Sequence, residues 1–144
     1  MAAEPFRSLE TYARRYSKLR EVFDKFHANV KTLPTFGTPP RLSTMTVTDV
    51  TEPGFFDLSI AGTTTRVQFE YLPGSEHGDS GLLRTFVLDP FTQRLGGLLE
   101  TVPFTSTSET NFKFDSGDPI VLNDQAGAFQ VIGLLVKNAI ERKP

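Results

Sequence analysis

Phe55-Phe56-Asp57-Leu58-Ser59-Ile60-Ala61-Gly62-Thr63-Thr64-Thr65-Arg66-Val67-Gln68-Phe69-Glu70-Tyr71 decides the fold. Phe56, Leu58 and Ile60 alternate with Asp57 and Ser59, and Val67, Phe69 and Tyr71 alternate with Arg66, Gln68 and Glu70. A period of two puts every second side chain on one face, so both runs are strands with one apolar side. The stretch 61–64, which contains Gly62, joins them as a hairpin turn.

Upstream, Met45 and Val47 alternate with threonines, and Glu52-Pro53-Gly54 is a turn, so the hairpin extends to a three-strand meander covered on one side. Downstream, 73–81 reads as a polar loop and 82–88 as a strand with apolar residues on both faces. Asp89-Pro90 begins a turn, and 95–104 is a long strand in which Gly96-Gly97 signals a bulge or bend. A polar loop follows at 105–110, then alternation around Phe112 and Phe114, a turn at 116–119 and a short edge strand at 120–122.

The chain's ends have the other period. Leu9, Tyr12, Ala13, Tyr16, Leu19, Phe23, Phe26, Val30 and Leu33 recur at steps of three and four, with Arg14, Arg15, Lys18, Glu21 and Lys25 between them. That is an amphipathic helix over 9–33, with Ser8 as a plausible N-cap and Pro34 as its stop. The Pro-rich segment 34–42 is an extended linker. A second helix is expected over 124–142, capped by Asn123 or Asp124, its C-terminal dipole complemented by Lys137, Arg142 and Lys143. Its first half is apolar nearly all round and must be covered on most sides, and Gly127 and Gly133 leave room for another backbone. The expectation is an α+β fold of one domain over 1–144: an amphipathic helix, an antiparallel sheet of five to seven strands over 43–122, and an apolar C-terminal helix packed on it.

Composition bounds the function. With 144 residues, 38% apolar and 22% charged, the chain is long enough for a core without staples. It has no cysteine, which excludes disulfides and thiolate metal sites. Met1–Phe6 does not open a signal peptide, because no apolar core follows. The longest apolar run, 126–136, is too short to span a bilayer, so a cytoplasmic protein off the membrane is expected. Residues 1–33 carry seven Lys/Arg against four Asp/Glu, whereas 43–124 carry four against twelve. Either basic helices lie on an acidic sheet layer, or an acidic face meets a basic partner.

Candidate chemistry is sparse. Gly78-Asp79-Ser80-Gly81, preceded by His77, resembles the nucleophile tetrapeptide of the chymotrypsin family over those four residues alone. A nucleophilic serine needs a base and an orienting group, and a base three residues away would need an unusual loop. The string is better read as an ordinary Gly/Asp/Ser turn. Glu76, His77 and Asp79, or Asp115, Asp118 and Asp124, lack the ligand spacing of a calcium loop, so no metal is expected. His27 reads as a boundary residue of the first helix. Arg14, Arg15, Lys18 and Arg20 interleave with Tyr12 and Tyr16, but the acidic sheet repels phosphates, and Gly96-Gly97 lacks the lysine and following helix of a phosphate loop. Neither nucleic acid nor a cofactor is expected.

What stands out is surplus apolar surface. The leading expectation is a non-catalytic, self-associating interaction module, a small cytoplasmic protein of bacterial type, forming a dimer. The runner-up is a carrier of a small apolar ligand, gripped in a Phe-lined cavity between a curved sheet and the C-terminal helix. Phe86, Leu88, Leu99, Phe104, Phe112 and Phe129 are the candidates for lining interface or cavity, and Arg66, Glu70, Arg84 and His77 are the polar pocket candidates. An enzyme would require Arg66, Glu70, Arg84, Glu100 and His77 to converge.

Overall fold

The computed structural model describes residues 3–75, 78–89, 91–113 and 116–142. Helix α1 spans Ala3–Lys31 and a 3-10 turn Leu33–Thr35. Seven strands follow: β1 (Thr46–Val47), β2 (Phe55–Ile60), β3 (Thr63–Ser75), β4 (Gly78–Leu88), β5 (Leu95–Phe104), β6 (Glu109–Lys113) and β7 (Pro119–Val121). Helix α2, Gln125–Glu141, is the last element, with Arg142 as its C-cap. The strands form one curled sheet in sequence order, and every pairing is antiparallel.

The β2–β3 hairpin turns on two residues, with Ile60 paired to Thr63. Ala61 and Gly62 have φ of 53° and 73°, the left-handed pair whose twist matches that of the flanking strands. In β3, Thr65, Val67 and Phe69 are buried and Arg66, Gln68 and Glu70 are half-buried, so the alternation read from sequence holds in space.

Helix α1 lies on the buried face. Its ring stack begins at Tyr16, 5.6 Å from Phe69, and continues through Phe23, which is 5.5 Å from Phe69 and 5.8 Å from Phe56. Phe26 reaches Phe56 at 6.1 Å, and His27 sits over the same ring at 4.8 Å while its Nε2 bonds the Thr48 carbonyl at 2.8 Å. His27 is therefore buried, not a boundary residue. Ala128, Val131, Ile132, Leu135 and Ala139 of α2 complete the core.

Charge ties α1 to the acidic segment. Arg20 grips Glu52 with two hydrogen bonds, 2.8 and 3.2 Å, and also donates to the Pro53 carbonyl and Asp24. The Arg20 bond holds the Glu52 carboxyl below its ordinary range. Lys31 pairs with Asp49, and Arg15 with Asp79 at 3.4 Å.

Several expectations are corrected. The helix begins at Ala3, so Ser8 lies within it and caps nothing, and Leu9 and Tyr12 are exposed because the sheet begins to cover α1 only at Tyr16. Residues 73–81 are mostly ladder rather than loop, since β3 runs to Ser75 and β4 starts at Gly78. Cross-strand pairing outweighs the turn preference of Gly, Asp and Ser there. Gly127 does admit a backbone, but Gly133 faces open space. Asp124 is the N-cap of α2 without a side-chain cap bond, and the helix is covered on one side only, leaving Leu134 and Ile140 exposed. Phe114 and Asp115 lie outside the described residues.

Candidate functional site

The Gly-Asp-Ser-Gly string is strand, and strand geometry separates its two functional side chains. Asp79 shares the helix-side parity of Gly81, which pairs with Tyr71. Its carboxylate accepts the Tyr71 hydroxyl, the Gly74 amide at 2.7 Å and Arg15 Nη1 at 3.4 Å. The Tyr71 bond holds the Asp79 carboxyl below its ordinary range, while burial, aided by Asp79, pushes the Tyr71 hydroxyl up to about 12. These groups staple β3, β4 and α1 together. Ser80 pairs with Leu72 and faces the other way. A fluorophosphonate is expected to leave Ser80 unlabelled; stoichiometric labelling, abolished by Ser80→Ala, would overturn that. His77 and Glu76 lie outside the described residues. Among those described, no cluster of three or more His, Asp or Glu could hold a metal ion.

Arg66, Glu70 and Arg84 do share one region, the sheet face turned away from the helices, but as paired charges. Arg66 grips Asp57 at 2.8 and 3.1 Å and stacks over Phe55 at 4.0 Å. Arg84 pairs with Glu70 at 2.6 Å. Glu100 lies on the helix side, where Asn138 of α2 donates to it at 3.1 Å. The four that are described, Arg66, Glu70, Arg84 and Glu100, form no common pocket among the described residues.

The apolar candidates divide three ways. Phe104 is core, 1% exposed, with its ring laid on Gly81 and 6.1 Å from Phe69. Phe112 packs against the core edge. Phe129 sits half-buried against Phe36 at 5.2 Å and lines an open groove of about 380 Å³ with Leu33, Leu42, Met45, Ile60 and Ile132. Between sheet and helices the space is filled by Phe23, Phe26, Phe56 and Phe69, so the hollow beside α2 is a groove with one phenylalanine, not a Phe-lined cavity.

Phe86, Leu88 and Leu99 come together on the β4–β5 hairpin. Leu88 is buried outside the main core, and Phe86 is half-buried between Arg66 and Leu98 in register. Two register shifts, between Thr85 and Phe86 and between Phe86 and Leu88, mark the irregularity that Gly96-Gly97 signalled. Beyond it β4 stays paired with β3 through Leu88, and only the connecting turn, 89–94, runs past the ladder. Asp89 accepts the amides of Phe91 and Thr92 at 2.8 and 3.0 Å and shapes the turn. Phe91 is 94% exposed, Leu98 51% and Leu95 44%. A hollow of about 630 Å³ runs along this stretch, lined by Val87, Leu95, Gly97, Leu99 and Arg142. Leu99 is the candidate of this stretch that the sequence names singly; Leu95 and Leu98 fall within the expected two-faced strand 95–104, and Phe91 falls in the expected turn. Their signal was present in the two glycines between leucines, where small residues leave large neighbours uncovered.

No helix among the described residues is long and apolar enough to cross a membrane. Compared with known proteins, the chain matches no family model, no curated protein and no solved structure.

Proposed function

We propose that the protein is a non-catalytic interaction module that self-associates through the distal half of the β4–β5 hairpin. One observation carries this reading: Phe91, Leu95 and Leu98 stand exposed in a stretch, 90–99, whose only charged residue is Arg94. Exposed apolar side chains grouped along one stretch are what a partner covers, and the commonest partner for a soluble chain is a copy of itself. The core supports the same division of labour, since it is complete without these side chains.

Light scattering at micromolar concentration is expected to give twice the 16.0 kDa chain mass. Leu98→Asp is expected to give a folded monomer, because Leu98 is half exposed in the free chain and a charge buried at an interface costs several-fold more than one in water. A wild-type chain that stays monomeric at every concentration removes this reading. The groove beside α2 then leads: its volume suits a small apolar ligand, and Gly133 leaves its wall open.

A further inference from the structure

We propose that two copies join by antiparallel pairing of β5 with β5, about a two-fold axis at Gly97, so that one sheet runs on into the next. The proposal rests on the self-association reading above and gives it a register.

Strand β5 has an unused edge. On one side it pairs with β4 from Leu95 to Phe104, and on the other it meets β6 only where Phe104 pairs with Thr110. The main-chain groups of 95–99 on that second edge face no strand among the described residues. An unpaired edge is a template for another strand, and monomers blunt it with charge, proline, a bulge or a cover; the two register shifts of β5 are seen in its pairing with β4. Residues 95–99, Leu-Gly-Gly-Leu-Leu, contain neither charge nor proline. Arg142, exposed at the end of α2, donates to the Leu99 carbonyl at 2.8 Å, and its long side chain can swing away when a strand arrives.

The occupant is identified by charge. With the axis at Gly97, Arg94 stands opposite Glu100 of the second copy, Leu95 opposite Leu99 and Gly96 opposite Leu98; symmetry repeats each pair. Arg94 and Glu100 share a face by register, because the Arg94 carbonyl bonds the amide of Asp89, the residue just after β4, while Glu100 pairs with Thr85, an even step of four back along that strand. The Arg94 guanidinium is exposed and bonds no described group, and among the described residues the Glu100 carboxylate holds only the Asn138 amide. Moving the axis half a residue destroys the match: Arg94 then meets Thr101 or Leu99, and Glu100 meets Leu95 or Gln93. Only the Gly97 register sets opposite charges together twice while pairing glycine and leucine across the seam.

Gly97 itself supplies the test. A Cβ there meets nothing within 4 Å, and the chain has no cysteine, so Gly97→Cys adds one thiol without crowding. Directly opposed residues of antiparallel strands lie about 4.5–5.5 Å apart, within the span of a disulfide. Mild oxidation of Gly97→Cys should give mostly covalent dimer on a non-reducing gel, while Ser17→Cys, exposed on α1, should not cross-link at the same concentration. Arg94→Glu should weaken association about tenfold, the worth of two exposed ion pairs. The double variant Arg94→Glu/Glu100→Arg should recover it. Should that variant not fold, Glu100→Gln, which keeps the Asn138 bond, should weaken the dimer alone. A wild-type dimer in which Gly97→Cys cross-links no better than Ser17→Cys overturns the edge pairing and leaves self-association standing. Cross-linking with an unmoved Arg94→Glu overturns the register, and a monomeric wild type overturns both proposals.

Discussion

Gly127→Ala is expected to lower the unfolding free energy by about 3 kcal/mol, the upper range of overpacking costs. The new Cβ would lie 1.9 Å from the Val121 carbonyl oxygen and 3.0 Å from its carbon. Those atoms are backbone and cannot rotate aside, so α2 must back away from β7 and loosen Ala128, Val131 and Ile132 behind it. In an open helix the same change stabilises by about 1 kcal/mol through propensity alone. Gly133→Ala is that control, because nothing lies within 4 Å of its added Cβ. Urea unfolding should move the two midpoints in opposite directions at similar slopes. If Gly127→Ala is neutral, the close seat of α2 on β7 is wrong.

Phe104→Ala is expected to cost about 4 kcal/mol, in the range for truncating a buried phenylalanine, and to leave association per folded chain unchanged. Its ring fills the space over Gly81: a Cβ at that glycine would lie 2.2 Å from the ring's Cζ. Glycine in a strand interior is weak by itself, and the ring supplies the cover that a side chain would give. Gly81→Ala alone should therefore destabilise, while in the Phe104→Ala background it should recover part of the loss by filling the cavity. A double-mutant cycle should show coupling above about 1 kcal/mol. Additive effects would mean that the ring and the glycine do not meet. A change in light-scattering mass without loss of stability would place Phe104 at the interface, where composition alone had also allowed it.

How much was legible in the chain depends on how local each determinant is. Period-two alternation over 55–71 and three-four spacing over 9–33 name strand and helix because each face needs only its own neighbours in sequence. Pro34 marks the end of the first helix for the same reason, and helix α1 does stop at Lys31. The stretch 73–81 was misread because Gly, Asp, Ser and Pro announce a turn by local chemistry. The ladder between β3 and β4, and the bonds Asp79 takes from Tyr71, Gly74 and Arg15, lie outside any local window.

The candidate surface shows the same boundary. Strand 95–104 was visible with its glycines and its surplus of leucines, and so was the apolar excess as a quantity. Which leucines are spent in the core was not visible. Phe104 and Leu88 are buried, whereas Leu95 and Leu98 are left in water, although all four are equally apolar. The difference is position along the hairpin: Phe104 lies in the core between sheet and helices, whereas of the helices only the end of α2, through Arg142 on the Leu99 carbonyl, touches the stretch that carries Leu95 and Leu98 among the described residues. The sequence by itself determined the element types, their order and the single apolar face of the meander, because those follow from side-chain period and chain stiffness. Tertiary structure alone decided which strand edge stays unpaired, which of two helical glycines is pressed against a backbone and which charges meet, because each of these is a distance between residues far apart in the chain.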